Sequence, residues 1–198
     1  NVALATVGSE EGGLLPEEEA VKVMLSDLGY RVTNVPFGRA SISDLSRAAF
    51  VIAAAFPSLD SQTISSLIER GQRVVLLYDA AAVLGGWWDY IESGSARNLV
   101  VERGEAFLTG YGASVAFAVQ ASGNSAAITG NYPPGWTALG NNTRSTSYKT
   151  AFYRQHSSGG RGAIFAYSPH SYNGRGEVFL AKLLEWATGT ALLGGVVL

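Results

Sequence analysis

The chain has 198 residues, of which 47% are hydrophobic and 15% charged, and a formal net charge of −2. Its 14 basic residues are scattered and form no stripe able to neutralise a phosphate backbone, which argues against nucleic acid as a partner. It has no cysteine, so disulfides, thiolate metal sites and a cysteine nucleophile are excluded together.

At this length one compact domain is expected, burying roughly 70% of the unfolded chain's surface. The charged fraction falls well below the roughly 25% typical of soluble domains. Such a surface suits an extracellular or cell-surface protein, or a subunit buried in an assembly; a cytoplasmic location is the alternative. The chain opens at Asn1 without Met and reads as processed or as part of a longer protein. No apolar run reaches the ~18–20 residues that span a bilayer. The apolar tail, residues 190–198, reads as a strand or a docking segment. Asn141-Asn142-Thr143 is an N-glycosylation sequon, with Asn141 the acceptor.

Val2 to Val7 reads as a buried strand. Pro16 and the three glutamates after it open a helix whose inner face is Val21, Met24, Leu25 and Leu28, with Gly29 as stop. Arg31 to Pro36 alternates as a second strand, and a short helix through Ile42 and Leu45 leads to a third at Phe50 to Phe56. Asp60 caps the next helix, with Ile64, Leu67 and Ile68 inward and Gly71 as stop. Arg73 to Tyr78 is continuously apolar, as central parallel strands are. From about 85 to 150 the chain is rich in Gly, Ser, Asn and aromatics and lacks helical periodicity. There Leu99 to Val101, Ala113 to Gln120 and Ser147 to Arg154 read as strands, several antiparallel. Ala163 to Tyr167 returns to the central sheet, and Glu177 to Thr188 forms a final helix ended by Gly189. Strands alternating with helices indicate a parallel sheet covered on both faces. The 85–150 insert is read as decoration on a single domain, 1–198.

Four stretches carry a resemblance. Ala49-Phe50-Val51-Ile52 runs into Phe56-Pro57, a helix and Gly71-Gln72-Arg73-Val74-Val75-Leu76-Leu77. Asn124-Ser125-Ala126-Ala127-Ile128-Thr129-Gly130-Asn131-Tyr132-Pro133 is similar to an "H-P-I-T-x-G-L-P" turn. Gly160-Arg161-Gly162-Ala163-Ile164-Phe165 is similar to "G-K-G-R-V-hydrophobic". Ser168-Pro169-His170-Ser171, with the later Trp186-Ala187-Thr188-Gly189, is similar to "G-H … W-A-A-G". In this order they resemble the class I glutamine-amidotransferase-like superfamily, in its trehalose-utilisation-protein-like branch. The resemblance implies a three-layer, flavodoxin-like α/β domain with a mostly parallel central sheet and a Gly- and aromatic-rich, partly β insert.

Amidotransferases of this fold place a cysteine on a sharp turn after the fourth strand, with a histidine and an acid from the last strand's loop. Here the turn reads Leu77-Tyr78-Asp79-Ala80-Ala81-Ala82, without a nucleophile. His170 stands in the histidine's place, but the acid expected two positions on is Tyr172, and Asn124 replaces the histidine of the second motif. His170 and Asp79 therefore read as a remnant catalytic pair, or as a loop histidine and a turn cap. Glu10 and Glu11, after the first strand, are companion carboxylates or solvated loop charge. Trp87 and Trp88 could stack on a sugar, anchor an interface or pack the insert. Two histidines without matched carboxylates make no metal site, and Gly8 to Gly13 lacks dinucleotide spacing, so no metal and no cofactor are expected.

The sequence thus favours a non-catalytic binding or assembly module of amidotransferase-like fold, partnered by protein subunits, its own copies or carbohydrate. The alternative is a sugar-active enzyme using His170 with a nearby carboxylate.

Overall fold

A computed structural model of the chain describes residues 2–6, 13–36, 49–52, 60–78, 80–81, 87–88, 97–101, 116–119, 128–129, 132–142, 146–167 and 174–189. They form strands β1 (Val2–Thr6), β2 (Val32–Pro36), β3 (Ala49–Ile52), β4 (Arg73–Leu77), β5 (Trp87–Trp88) and β6 (Arg97–Val101). β7 (Ala116–Val119), β8 (Ile128–Thr129), β9 (Thr137–Asn142), β10 (Lys149–Gln155) and β11 (Arg161–Phe165) complete the described strands. The helices are α1 (Pro16–Asp27), α2 (Ser61–Glu69) and α3 (Gly174–Thr188).

One sheet runs in the order β2-β1-β3-β4-β11-β10-β9-β6-β7. Pairing from β2 through β11 is parallel. With β11 as the fifth strand, that half has the doubly wound flavodoxin-like order. From β10 to β7 the pairing is antiparallel. The insert is therefore not decoration: its strands lengthen the sheet. β5 joins through β8, whose Ile128 pairs with Lys149 of β10. α3 packs on β4 and β11 and also touches β7, so the antiparallel half curls back over that helix.

Period-2 alternation divides the core between two faces. Val75 and Leu77 of β4, with Ala163 and Phe165 of β11, meet α1 (Val21, Leu25) and α3 (Phe179, Leu180, Leu183, Leu184). Val74, Leu76 and Ile164 point the other way, to Ile64, Leu67 and Ile68 of α2 and to Trp136 and Phe152. Both faces are covered, which is why these strands read as unbroken apolar runs. The result is a three-layer α/β fold.

Local chemistry sets the helix limits. Pro16 is the first residue of α1, and the Leu15 amide donates to Glu18 Oε2 at 2.9 Å. Asp60 caps α2 by accepting from the Thr63 amide at 2.6 Å, a bond that holds its carboxyl below the ordinary range. Gly29, Gly71 and Gly189 end the three helices in left-handed conformation, with φ of 85°, 92° and 66°. The helix expected through Ile42 and Leu45 lies outside the described residues, as does the end of the third expected strand beyond Ile52.

The β10–β11 turn sits directly on the end of α2. Ser158 Oγ donates to the Ile68 carbonyl at 3.1 Å, and the Arg161 amide to that of Gln72 at 3.0 Å. A Cβ at Gly160 would lie 1.9 Å from the Ile68 oxygen, so only glycine permits this approach. Gly160→Ala is expected to cost about 2–3 kcal/mol through overpacking. Gly29→Ala, where the added methyl meets open space, should cost about 1 kcal/mol from the left-handed φ alone. Urea denaturation of both variants checks the order; equal losses would remove the close-approach argument.

Candidate functional site

In open α/β sheets, ligands bind outside the carboxyl ends of the parallel strands. The registers define that edge here. β1, β3, β4 and β11 end there at Thr6, Ile52, Leu77 and Phe165, and the Leu77↔Phe165 and Leu76↔Ile52 pairs set the three inner strands level. β10 begins at the same edge, because Ala151 opposes Phe165. Through Lys149 and Ile128 the edge extends to β5, so the backbone of Trp87 and Trp88 is placed on this side of the molecule.

Two tyrosines dominate the described part of the edge. Tyr78 directly follows β4 and has a φ of 46°, the one positive value at a non-glycine among the described residues. It is 8% exposed, and Ala80 and Ala81 beyond it are fully buried. A bulky side chain in the left-handed region is strained by on the order of 1–3 kcal/mol, and such strain gathers at functional turns. Sharp strand-to-turn corners are where some α/β enzymes expose a nucleophile; on the turn after β4 the first described residue is a tyrosine.

Tyr167, two residues past β11, is fully buried between the Phe165 ring, 5.1 Å away by centroid, and the Thr150 hydroxyl, which donates to its oxygen at 3.2 Å. Burial pushes the Tyr167 phenol well above the ordinary tyrosine range, with the Thr150 bond acting weakly in the opposite sense.

Of the residues singled out in the sequence, Glu10, Glu11, Asp79 and His170 lie outside the described residues, and so does the 190–198 tail. Trp87 and Trp88 are placed as strand only. Asn141 is 4% exposed within β9, between Val100 of β6 and Lys149 of β10. Among the described residues no three His, Asp or Glu side chains are grouped to hold a metal ion. Tyr78 escaped the reading by residue type, because its signal is a backbone angle.

Away from this edge, a second polar cluster joins β10 to α2. Arg154, 9% exposed, donates to Ser65 Oγ and Glu69 Oε1, both at 2.8 Å. Glu69 is half exposed, so the pair contributes about 1 kcal/mol or less and serves to align the two elements.

The phenol of Tyr167 gives a measurable prediction. Its folded-state pKa lies above the unfolded value of 10.0. The stability it contributes is therefore present below pH 10 and lost as pH rises beyond it, by up to about 1.4 kcal/mol per pH unit. Tyr167→Phe should cost about 1 kcal/mol at pH 7 through the lost bond, and its deficit should shrink or reverse by pH 11. Denaturation at the two pH values tests this; parallel pH profiles would show that Tyr167 ionises freely in the folded chain.

No protein-family model matches the chain, and no curated protein sequence does. Solved structures do. A ThuA-like protein from Parabacteroides merdae superposes with a TM-score of 0.65 at 13% identity, over 98% of this chain and 92% of that one. A ThuA-like protein from Bacteroides uniformis gives 0.64 at 11% identity, with the same coverage of 98% and 92%. The carbohydrate deacetylase Agd3 gives 0.60 at 13% identity over 98% of this chain, which spans only 33% of that enzyme. The chain likewise spans 31% of a β-galactosidase from Rahnella sp. R3. At these identities the likeness concerns the fold, and the fold is that of the ThuA-like, flavodoxin-type α/β domains.

Proposed function

We propose that the chain is a non-catalytic, carbohydrate-associated binding or assembly module working outside the cytoplasm. One observation carries the reading: the turn after β4, where a nucleophile would stand, holds Tyr78 in a chain without any cysteine. The low charged fraction of 15% supports an extracytoplasmic or subunit-contacting surface. Similarity to about a third of two carbohydrate-active enzymes supports a domain that accompanies sugar chemistry. The antiparallel extension supports assembly, because among the described residues the sheet ends in β7, and an edge strand can accept another chain.

A second reading rests on the strain at Tyr78. In sequence it immediately precedes Asp79, the carboxylate that a sugar-active enzyme would use with His170.

Thermal-shift titration with lactose, mannobiose and fucosyllactose, combined with light scattering and nitrophenyl-glycoside turnover, separates the two. The module reading predicts no turnover, with either self-association or a sugar-dependent rise in Tm. A sugar at 100 times its Kd raises Tm by roughly 5–10 °C for a chain of this size. Turnover abolished by both His170→Ala and Asp79→Asn would replace the module with the enzyme. Absence of binding, association and turnover together would sink both readings.

A further inference from the structure

We infer that Arg73 and Arg161 together form a binding site for an oxyanion, the phosphate, sulfate or carboxylate group of a small ligand, at the amino edge of the sheet. The inference stands apart from the carbohydrate reading and uses no residue of the carboxyl edge.

Position comes first. β4 and β11 run parallel with Arg161 opposite Arg73, so the two backbones lie about 5 Å apart. Two residues on, Val75 and Ala163 enter the core against α1 and α3, and period-2 alternation puts both arginines on that same face. There they meet the last turn of α3. Arg73 donates to the Thr188 carbonyl and Arg161 to that of Trp186, while the Arg161 guanidinium lies over the Trp186 ring.

Charge comes second. The carbonyls hold both guanidiniums in place but do not neutralise them. A helix C-terminus amounts to roughly half a negative charge, against two full positive ones. Among the described residues neither arginine joins an ion pair, and Glu185, one turn before the helix end, pairs with Lys182 at 3.6 Å. More than one positive charge is left over where both side chains are half-buried, and partly buried charges are screened less than exposed ones.

Donors come third. Each guanidinium carries five N–H groups in a planar fork, and among the described residues one group of each is engaged. Gly189 is exposed and has no side chain to lie across them; a Cβ there would stand 2.7 Å from Arg73 Nη1. Two neighbouring forks with spare donors and excess positive charge match the paired oxygens of an oxyanion.

The test titrates sodium phosphate, sodium sulfate and sodium glucuronate into the native chain, by calorimetry and thermal shift, at an ionic strength held constant with sodium chloride. The inference predicts saturable binding of at least one, with Tm raised by roughly 3–6 °C at ten times its Kd. Arg73→Lys and Arg161→Lys each keep the charge and a donor for the carbonyl but lose the fork, and each should weaken that affinity about tenfold. A preference for phosphate or sulfate supports the site and marks a phosphoryl or sulfo group as its ligand; a preference for glucuronate supports it and marks a carboxylate. A Tm change that sodium chloride alone reproduces, or affinity unaltered in both variants, overturns the site. Should the variants not fold, the arginine Nε–Hε resonances of the native chain decide. Shifts confined to Arg73 and Arg161 on adding the bound anion support the site, and shifts at other arginines or at none overturn it.

Discussion

The parallel pairing of β11 beside β4 organises both edges of the sheet. Its register sets Arg161 against Arg73 at the amino edge and Phe165 against Leu77 at the carboxyl edge. Two arginines side by side on adjacent strands repel each other. The end of α3 resolves this: Arg73 donates to the Thr188 carbonyl and Arg161 to that of Trp186, and Arg161 stacks on the Trp186 ring at 5.3 Å. The orphan carbonyls of a helix C-terminus carry partial negative charge, so the like pair becomes a double clamp. Gly189 is required twice, for its φ of 66° and because a Cβ would meet the Arg73 guanidinium at 2.7 Å. Tyr30, at the end of the α1 connection, adds its hydroxyl near Thr188 Oγ1 at 3.5 Å. With its C-terminus clamped at the amino edge and its body on β4 and β11, α3 begins toward the opposite edge, just after the 168–173 segment.

The two edges therefore differ in energetic character. At the amino edge, charges are bonded, the turn after β10 is docked on α2, and glycines fit the gaps between backbones. At the carboxyl edge stand a strained tyrosine, a buried phenol with a raised pKa and the start of the β5–β8 extension. Net stability of a domain is only about 5–15 kcal/mol, so strain on the order of 1–3 kcal/mol at Tyr78 is a considerable fraction. It persists because Leu77 and Ala80 are locked into opposite core layers. Rigidity at one edge makes tension at the other tolerable.

Legibility in the sequence followed the same division. β4 and β11 were readable as unbroken apolar runs because both faces are covered, and α1 and α2 because Pro16, Asp60, Gly29 and Gly71 mark their ends by local chemistry. β9 was not readable. Thr137-Ala138-Leu139-Gly140-Asn141-Asn142 ends in residues of low strand propensity and is a strand because β6 and β10 flank it. The same tertiary placement buries Asn141. α3 starts at Gly174, ahead of the expected Glu177, since Gly-Arg-Gly carries no helical signal of its own. Nothing in Leu77-Tyr78-Asp79-Ala80 announces a left-handed residue; a glycine or asparagine at 78 would have done so.

That last silence bears on how a turn of this kind changes use. A strand-to-turn corner serves a nucleophile by lifting a small reactive side chain out of the sheet toward backbone donors. Its backbone geometry depends on the packing of the strand before it and the turn after it, not on the residue at its tip. Leu77, Ala80 and Ala81, all fully buried, supply that packing here. The corner's geometry therefore places no demand on the chemistry of the residue at its tip. A glycine would relieve the corner and leave it empty. A tyrosine keeps it strained and places a large, nearly buried ring there, so burial of the ring offsets part of the cost of the angle.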